Sequence, residues 1–441
     1  MSVSPTPDPV SSLREAVRVQ LQGGQMAAAE SSCRQLLEHE PDDADALVFL
    51  ADRELARRNA PQALLLLNRA ERAHPDHPGV AHQLGSVHLA SGDFEAAASH
   101  LQRALATAPR MFLARLRLGI ALEQLGRPEQ ALTAYFMAVR SAQEQGRWLN
   151  DATTAPGLRE LVKYAMNYAN AGRRRLFDAA LEPLRERYGR SELHRVDRAL
   201  AIHLGLEPMP SIDPRQRPLF LYFPDVPSQP FYPRQRFPWH ETLEAATAAV
   251  REELLAVLAG EQVLESFLGV DDPAQAQSML RGSDGHAAAW DAYFFHRHGD
   301  RYDDHCAACP RTSAVLDAVP LVRIRDHAPE ALFSVLRPGT HILPHRGVTN
   351  TRLVTHLPLI VPSDCALQVG GQIHSWREGS CVTFDDTFEH EAWNRSPFTR
   401  VVLILDSWNP DLSEAEQAAV TDLVEAIGDF NASCELPADA A

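Results

Sequence analysis

The sequence has little cysteine, no excess of positive charge and no long apolar run. Only six of its 441 residues are cysteine, so a disulfide framework is not expected. The formal net charge is −16, which argues against a general nucleic-acid binder, because phosphate contacts need clustered Lys and Arg. No apolar run approaches the roughly 20 residues that span a bilayer. Residues 1–17 also lack the basic and apolar regions of a secretory signal, so we expect a cytoplasmic protein without a membrane segment.

The length and the composition of the chain suit a globular protein with more than one domain. Hydrophobic residues make up 45% and charged residues 23%, which is ordinary for globular proteins, and 441 residues suffice for two or three domains. Changes in pattern predict three parts: a repeat domain over 1–145, a helical connector over 146–212, and a β-rich domain over 213–441.

The first third of the chain contains an internal repeat. Two sets of residues recur at an interval of 34 positions, namely Pro41, Pro75 and Pro109, and Ala51, Gly85 and Gly119. Small residues at fixed positions let two helices approach closely, and proline cannot continue a helix, so it ends each unit. This pattern resembles the tetratricopeptide repeat, a helix–turn–helix unit of 34 residues. Such solenoids bind a protein or peptide client in a concave groove, or serve as a scaffold or dimerisation surface without a client.

The last third is rich in short strand-like segments. WDAYFFHRHG has an aromatic, alternating pattern, and after residue 329 short runs of Val, Ile, Leu, Thr, Phe and Trp alternate with turns. Many short strands favour a barrel or jelly roll. Near the end, Ser413 and Glu416 have the spacing of a capping box, which predicts a C-terminal helix. The predicted fold class is therefore α + β multidomain, with an all-α solenoid before a jelly-roll domain.

Two histidines in the predicted strands are candidates for metal ligands. His345 belongs to PHRG and His390 to FEHEAW. Imidazole suits Fe, Zn or Cu, and two histidines with one carboxylate mark non-haem Fe(II) oxygenases. The carboxylate is expected two positions after the first histidine, where Gly347 stands. Arg400 opens the strand TRVVLILD, and its guanidinium suits an acidic co-substrate because it binds carboxylates with two parallel hydrogen bonds.

The residue pattern leaves the third ligand open. Asp385 and Asp386 precede the second histidine by a turn, and either carboxylate could swing towards a metal. His341 lies four positions before His345 and would share its face in an unbroken strand, although Pro344 indicates that the strand ends between them.

Cys306 and Cys309 form a CxxC motif in HCAAC. No second CxxC follows at a spacing usual for zinc. Structural, redox and metal-binding roles all remain open, and the segment predicts a turn into a short helix.

The motifs PGTH, PHRG, TNTRL and FDDTFEHEAW, followed by Arg400, occur in this order between Phe220 and Pro410. With this spacing, the region resembles the aspartyl/asparaginyl β-hydroxylase family. The resemblance implies a double-stranded β-helix and a 2-oxoglutarate-dependent dioxygenase that uses Fe(II), 2-oxoglutarate and O₂. Animal members of the family also have helical repeats before the oxygenase domain, in agreement with the first third of this chain.

The resemblance implies a role for each matching residue. His345 and His390 match the iron-binding histidines. Arg400 and Ser334 match residues that hold the distal carboxylate of 2-oxoglutarate, and His356 matches a residue near its other carboxylate.

One position departs from the family pattern, and another agrees with it. Val354 stands where the family often has an arginine that holds the C1-carboxylate end of 2-oxoglutarate, so contacts there are weaker or come from elsewhere. Arg352 is a neighbouring candidate, either for that contact or for holding the fold. Gly347 is normal for the family, so the resemblance implies a site with two histidines in which water takes the third position.

The implied reaction is hydroxylation of the β-carbon of Asp or Asn in a polypeptide client that the repeats hold. Three alternatives remain. A cupin-like metal barrel would use no 2-oxoglutarate, and a related hydroxylase would act on a lipid or a small molecule. A repeat adaptor would carry a non-catalytic metal-binding barrel.

Overall fold

The computed structural model describes residues 8–210, 213–260, 264–269, 277–283 and 287–434. The chain divides into two compact units. The first comprises 8–175 together with 431–434, and the second comprises 176–430. The domain limits that we place at 145 and 212 stay a prediction. Among the described helices, none combines the length and the apolar character that crossing a bilayer requires.

The first unit is built from consecutive helices that pair through short turns. The paired helices are α1 (Pro9–Gln22), α2 (Met26–His39), α3 (Ala44–Ala56), α4 (Ala60–Ala73), α5 (Pro78–Ser91), α6 (Phe94–Thr107), α7 (Phe112–Gln124) and α8 (Pro128–Glu144). Helix α9 (Arg159–Tyr188) follows them, and α10 (His194–His203) lies in the second unit. Asp43 and Asp93 begin α3 and α6 by accepting a hydrogen bond from a backbone N–H in the first turn, as N-cap residues do.

Small residues lie where two helices of a pair approach closely. A Cβ at Gly85 would stand 2.6 Å from Cγ of Leu101, and one at Gly119 would stand 2.6 Å from the ring of Tyr135. Ala51, at the equivalent position of the preceding unit, is fully buried. The recurring small residues therefore lie at contacts between paired helices. The predicted repeat architecture is confirmed.

We expect Gly119→Ala to destabilise the repeat unit by about 1–3 kcal/mol, because the methyl group overpacks the contact with Tyr135. Thermal unfolding followed by far-UV circular dichroism measures the effect. Gly157→Ala is the matched control, since a Cβ there meets nothing within 4 Å. Equal stability of the two variants would contradict this account of the repeat.

The second unit consists of two antiparallel sheets and the helices that cover them. Its strands are β1 (Phe231–Tyr232), β2 (Glu265–Ser266), β3 (Leu280–Gly282), β4 (Trp290–Arg297), β5 (Asp300–Arg301), β6 (Ala331–Leu336), β7 (Thr340–His345), β8 (Arg352–Ile360), β9 (Cys365–Val369), β10 (Gln372–His374), β11 (Val382–Phe384), β12 (His390–Asn394) and β13 (Arg400–Trp408). One sheet has eight strands in the order β1-β11-β8-β13-β6-β4-β2, with β5 beside β4. The other has five strands in the order β10-β9-β12-β7-β3.

Helices lie between or after these strands along the chain. They are α11 (His240–Ala245), α12 (Thr247–Ala259), α13 (Asp303–Ala308), α14 (Pro310–Asp317) and α15 (Glu414–Ser433). Helix α15 begins with the predicted capping box, because Ser413 N–H donates to Glu416 and Glu416 N–H donates to Ser413 Oγ.

The eight-stranded sheet is buried on both faces. Along β8, Leu357 and Leu359 pack in one core with residues of α12 and α14. Val354, which points the other way, packs in a second core with residues of the five-stranded sheet. This alternation follows from the two-residue period of a strand. The predicted fold class, a helical repeat region followed by an antiparallel β domain, is confirmed.

The CxxC motif lies at the junction of α13 and α14, as the predicted turn into a short helix requires. Cys306 and Cys309 are free and buried within the core under the eight-stranded sheet. Burial raises the pKa of the Cys309 thiol to about 12, and a protonated thiol is a poor nucleophile. This burial favours the structural role among those left open for the motif.

Candidate active site

His345 and His390 meet across two neighbouring strands. His345 ends β7 and His390 begins β12, and the two residues are direct partners in the antiparallel register. The centroids of their rings are 4.0 Å apart. The structure thus brings together the two histidines that the sequence indicates as metal ligands.

A β-bulge decides which side chains share the face of this pair. Between the pairs His390–His345 and Ala392–Ile342, β7 contains one residue more than β12, and an extra residue reverses the alternation of faces. His345 therefore lines an internal cavity together with Ile342 and Ala392. His341 does not share that face, although it lies four positions before His345.

His341 instead contacts the neighbouring strand. Its Nε2 lies 2.7 Å from Oε2 of Glu391, and neither residue is among those that line the cavity. The interpretation of His341 as the third ligand is therefore wrong, because the bulge removes the regular alternation on which it depended.

Backbone carbonyl groups fix the orientation of both imidazoles. Nδ1 of His345 lies 2.8 Å from the carbonyl oxygen of Leu343, and Nδ1 of His390 lies 3.0 Å from that of Phe388. A carbonyl oxygen can only accept, so each Nδ1 carries the hydrogen and each Nε2 keeps a free lone pair. Metal-binding histidines are oriented in this way.

Burial also keeps the two imidazoles neutral. It lowers the pKa of His345 to about 4, and the nearby His390 adds to the shift. Burial likewise lowers the pKa of His390. Because a metal binds the neutral imidazole, the pair is ready to coordinate near pH 7.

The cavity has a volume of about 210 Å³ and is mostly apolar. Its apolar lining includes Phe267, Trp290, Leu332, Ile342, Leu367, Phe384 and Ile404. Its polar lining comprises Glu330, Ser334, His345, Arg352, His356, Asp386, His390, Arg400 and Asp406. All five site residues indicated by the sequence therefore line one cavity.

Asp386 occupies the space that a side chain at position 347 would need. A Cβ built on Gly347 would stand 2.1 Å from Cγ and from Oδ2 of Asp386. The N–H of Gly347 also donates to the carbonyl oxygen of Asp386 at 2.7 Å. The chain thus supplies a carboxylate next to His345 from the loop before β12, and glycine at 347 leaves room for it.

The Asp386 carboxylate is buried and only partly paired. Its Oδ1 has no hydrogen-bond partner in the described part of the chain, and Oδ2 lies 4.0 Å from the guanidinium of Arg352. Burial raises its pKa, whereas Arg352 and His345 act in the opposite direction. Its neighbour Asp385 faces elsewhere and accepts hydrogen bonds from Gln216 and Thr387.

We expect Gly347→Ala to weaken divalent-metal binding about 10- to 100-fold, the usual effect of disturbing groups around a metal. The reason is that the new methyl group displaces Asp386. Isothermal titration with Mn²⁺ measures the affinity. Asp386→Ala should weaken Mn²⁺ binding by a similar factor. The double variant should bind Mn²⁺ no more weakly than either single variant. Additive losses would show that Gly347 acts independently of Asp386.

Arg400 is a buried cation with no anionic partner among the described residues. Its Nη1 donates to the carbonyl oxygen and to Oγ of Ser334, both at 3.3 Å, and its Nε has no hydrogen-bond partner within the described ranges. The guanidinium carbon lies 4.9 Å from the ring centroid of Trp376. Burial lowers the Arg400 pKa to about 10, which still leaves the group charged at neutral pH.

Two tryptophans that the sequence does not single out contact Arg400 and Ser334, and Trp290 also lines the cavity. Trp376 lies against Arg400, and Trp290 donates a hydrogen bond from Nε1 to Oγ of Ser334 at 2.9 Å. The strand-like context of each was visible in the sequence, but their pairing with Arg400 and Ser334 depends on the register of strands that are distant along the chain.

His356 projects from β8 into the same cavity. It is buried, and its Nδ1 has no hydrogen-bond partner among the residues that the structure describes. Burial lowers its pKa well below the ordinary value, and Arg400 adds to the shift, so the ring is neutral. Val354, two residues earlier on the same face, lines the cavity where the family often has an arginine.

Arg352 is held by carboxylates of the protein itself. Its guanidinium forms an ion pair with the buried Asp406, and Asp386 lies near. Asp406 also accepts a hydrogen bond from the N–H of Glu330 at 3.0 Å. Of the two roles considered for Arg352, these contacts favour the structural one.

Family models match both units of the chain. A model described as aspartyl/asparaginyl beta-hydroxylase matches residues 244–410, and two tetratricopeptide repeat models match 20–84 and 82–146.

Three curated relatives illustrate the range of similar proteins. "Aspartate beta-hydroxylase domain-containing protein 2" of Rattus norvegicus is 31% identical over 54% of this chain and 68% of its own. "Ornithine lipid ester-linked acyl 2-hydroxylase" of Rhizobium tropici is 34% identical over 45% of this chain and 66% of its own. Human "aspartyl/asparaginyl beta-hydroxylase" is 24% identical over 84% of this chain, but only 43% of its own length is matched. With the family model, these relatives place the chain in the aspartyl/asparaginyl β-hydroxylase family.

Proposed function

We propose that the protein is an Fe(II)- and 2-oxoglutarate-dependent dioxygenase that hydroxylates a C–H bond. In this proposal His345 and His390 hold the iron, and Arg400 with Ser334 holds the distal carboxylate of 2-oxoglutarate. His356 lies near the other carboxylate. The observation that carries the proposal is a neutral histidine pair and an unpaired buried arginine in one cavity.

The donor atoms around the histidine pair fit a divalent iron. Two Nε2 lone pairs face the same space, because both Nδ1 atoms donate to backbone carbonyls. The unpartnered Oδ1 of Asp386 lies in the same cavity, where it can accept a hydrogen bond from a water molecule on the metal. Imidazole and carboxylate are donors that suit non-haem Fe(II).

The far end of the cavity fits a dicarboxylate. An unpaired buried charge is costly, and the Nε and the remaining guanidinium donors of Arg400 have no carboxylate partner in the described ranges. A carboxylate of 2-oxoglutarate would satisfy them through a forked contact. The unpartnered Nδ1 of His356 offers a further polar contact between Arg400 and the histidine pair.

When bound, iron and 2-oxoglutarate together supply the oxidation by O₂, with release of succinate and CO₂. The protein positions the groups and excludes water. Burial of Arg400 in this mostly apolar cavity strengthens its electrostatic contacts. The carbonyl groups of Leu343 and Phe388 prevent the imidazoles from turning.

For the substrate, we propose the β-carbon of Asp or Asn in a polypeptide client. The tetratricopeptide repeats support this choice, because such arrays bind extended protein segments in a groove. Incubation of partners trapped on the repeats, followed by mass spectrometry for the gain of one oxygen atom, tests the choice. Partners that never gain this mass would contradict it.

A second candidate substrate is an acyl chain. The supporting observation is the strongly apolar lining of the cavity, which includes Phe267, Leu332 and Ile404, and one relative is named as a lipid acyl hydroxylase. The same mass assay on acyl lipids distinguishes the two substrates.

An anaerobic titration with Fe(II) and 2-oxoglutarate tests the cofactor proposal. We expect the visible charge-transfer band of an iron-bound 2-oxo acid. Its absence from the wild-type protein would overturn the proposal and would leave the alternative of a non-catalytic barrel.

Arg400→Met separates co-substrate binding from folding. We expect the band to require at least about tenfold more 2-oxoglutarate, because a charged hydrogen-bond partner worth roughly 1.5–3 kcal/mol is lost. Stability should be kept or raised, because the variant removes a buried cation that has no anionic partner. Arg395→Met is the matched control, since Arg395 is exposed and should change neither quantity. Unaltered 2-oxoglutarate affinity in Arg400→Met would rule out the assigned role.

A further inference from the structure

A second group of metal-ligating side chains lies away from the histidine pair. It consists of His240 and Glu244 on α11 and Cys381 immediately before β11. One ligand atom from each residue lies within 4.8 Å of those of the other two. Within the described ranges, this is the one group of three or more such side chains that meets this distance.

The local fold brings the three residues together. His240 and Glu244 are four positions apart on a helix, so they lie on one face, one turn from each other. The N–H of Cys381 donates to Oε1 of Glu244 at 2.8 Å, which holds the strand against the helix. Arg234 also donates to Oε1 of Glu244. Both of these hydrogen bonds are accepted by the same carboxylate oxygen, so Oε2 is left for another partner.

His240 provides a second, independent observation that points to a ligand. Only 1% of the residue is exposed, and its Nδ1 has no hydrogen-bond partner in the described part of the chain. Its Nε2 lies 3.0 Å from Oγ1 of Thr383. When Nε2 donates to this hydroxyl, a lone pair remains on Nδ1 in a buried place. A buried polar atom without a partner costs roughly 1–3 kcal/mol.

The group is separate from the cavity of the histidine pair. Phe384 lines that cavity, whereas none of His240, Glu244 and Cys381 does. Thr383, which contacts His240, precedes Phe384 on β11 and so points to the opposite face of the sheet.

We propose that His240, Glu244 and Cys381 bind a zinc ion, with the fourth position open to water. Imidazole nitrogen, carboxylate oxygen and thiolate sulfur are all donors that zinc accepts, and the set is unlike the all-oxygen sites of Mg²⁺ and Ca²⁺. Binding uses Nδ1 of His240, Oε2 of Glu244 and the thiolate of Cys381. The thiol proton passes to the solvent as the metal–sulfur bond forms.

Titration of the full-length protein with Co²⁺ tests this site, since Co²⁺ bound to a thiolate has an intense near-ultraviolet charge-transfer band. The His345→Ala/His390→Ala background prevents binding at the other pair. We expect a stoichiometric band that added Zn²⁺ removes. Cys381→Ser should abolish the band, and the matched control Cys365→Ser should keep it.

Glu244→Gln provides a second variant that retains the hydrogen bonds to Arg234 and Cys381. We expect the thiolate band to persist with an affinity about 10- to 100-fold weaker. Two results would overturn the proposal: no thiolate band in the background protein, or a band that survives Cys381→Ser. Circular dichroism confirms that each variant is folded.

Discussion

His345→Ala and His390→Ala should each abolish 2-oxoglutarate turnover and weaken Mn²⁺ binding by more than about 100-fold, which exceeds the effect expected for groups outside the ligand set. Each substitution removes one of the two Nε2 lone pairs that face the cavity. Succinate formation and isothermal titration with Mn²⁺ measure the two losses. Succinate serves as the readout because it reports turnover even when the prime substrate is not known.

His341→Ala is the matched control for these variants. It removes an imidazole four positions from His345, but one that contacts Glu391 and does not line the cavity. Metal affinity and turnover should stay within about twofold of the wild type, since surface changes away from the site rarely exceed 0.5 kcal/mol. A large loss of metal affinity in His341→Ala, or retention of it in His390→Ala, would contradict the ligand assignment.

Arg352→Met should lower the free energy of unfolding by about 3–5 kcal/mol, the usual result of removing one partner of a buried ion pair. The substitution leaves the carboxylates of Asp406 and Asp386 without their cation. Chemical denaturation followed by tryptophan fluorescence suits the measurement, because five of the six tryptophans lie after residue 176, in the second unit.

The pH dependence and a double variant distinguish this cause from a simple packing defect. Burial already raises the pKa of Asp406 above its usual value near 3.9, and loss of Arg352 raises it further. A carboxyl group with a raised folded-state pKa destabilises the fold increasingly as pH rises above the unfolded-state pKa. The loss of unfolding free energy in Arg352→Met should therefore be smaller at pH 5 than at pH 8. Arg352→Met/Asp406→Asn should recover part of the lost stability, and a deficit independent of pH would indicate packing instead.

The features that the sequence predicts well are those that recur locally. Gly85 and Gly119 each lie where the two helices of one repeat approach closely. Because this contact recurs at a fixed interval, periodicity alone identifies the repeats. The capping box of Ser413 and Glu416 spans only three positions, and it forms as expected. The predicted strand WDAYFFHRHG corresponds to β4, because alternation within a strand is a local property.

The features that the sequence does not reveal depend on register between distant strands. The extra residue in β7 decides that His345 shares a face with Ile342 and not with His341. Pro344 signals an interruption at this point, but the strand continues through it to His345, and the proline does not show on which face His345 then lies. The pairing of Arg352 with Asp406 links the first residues of β8 to the end of β13, and strand order alone determines it. Asp386 likewise lies close to Gly347 because β7 and β12 are paired strands, although they are distant along the chain.

The packing of Gly347 against Asp386 also limits how this site can change during evolution. A carboxylate introduced at position 347 would restore the sequence motif of oxygenases with a histidine and a carboxylate two residues apart, but it would collide with Asp386. Shortening Asp386 first would leave an intermediate with no carboxylate beside the histidines. Neither single substitution therefore keeps an unstrained carboxylate beside the histidines, and a paired change is needed to connect the two architectures. A lineage with this arrangement is expected to keep it even where the alternative would work equally well.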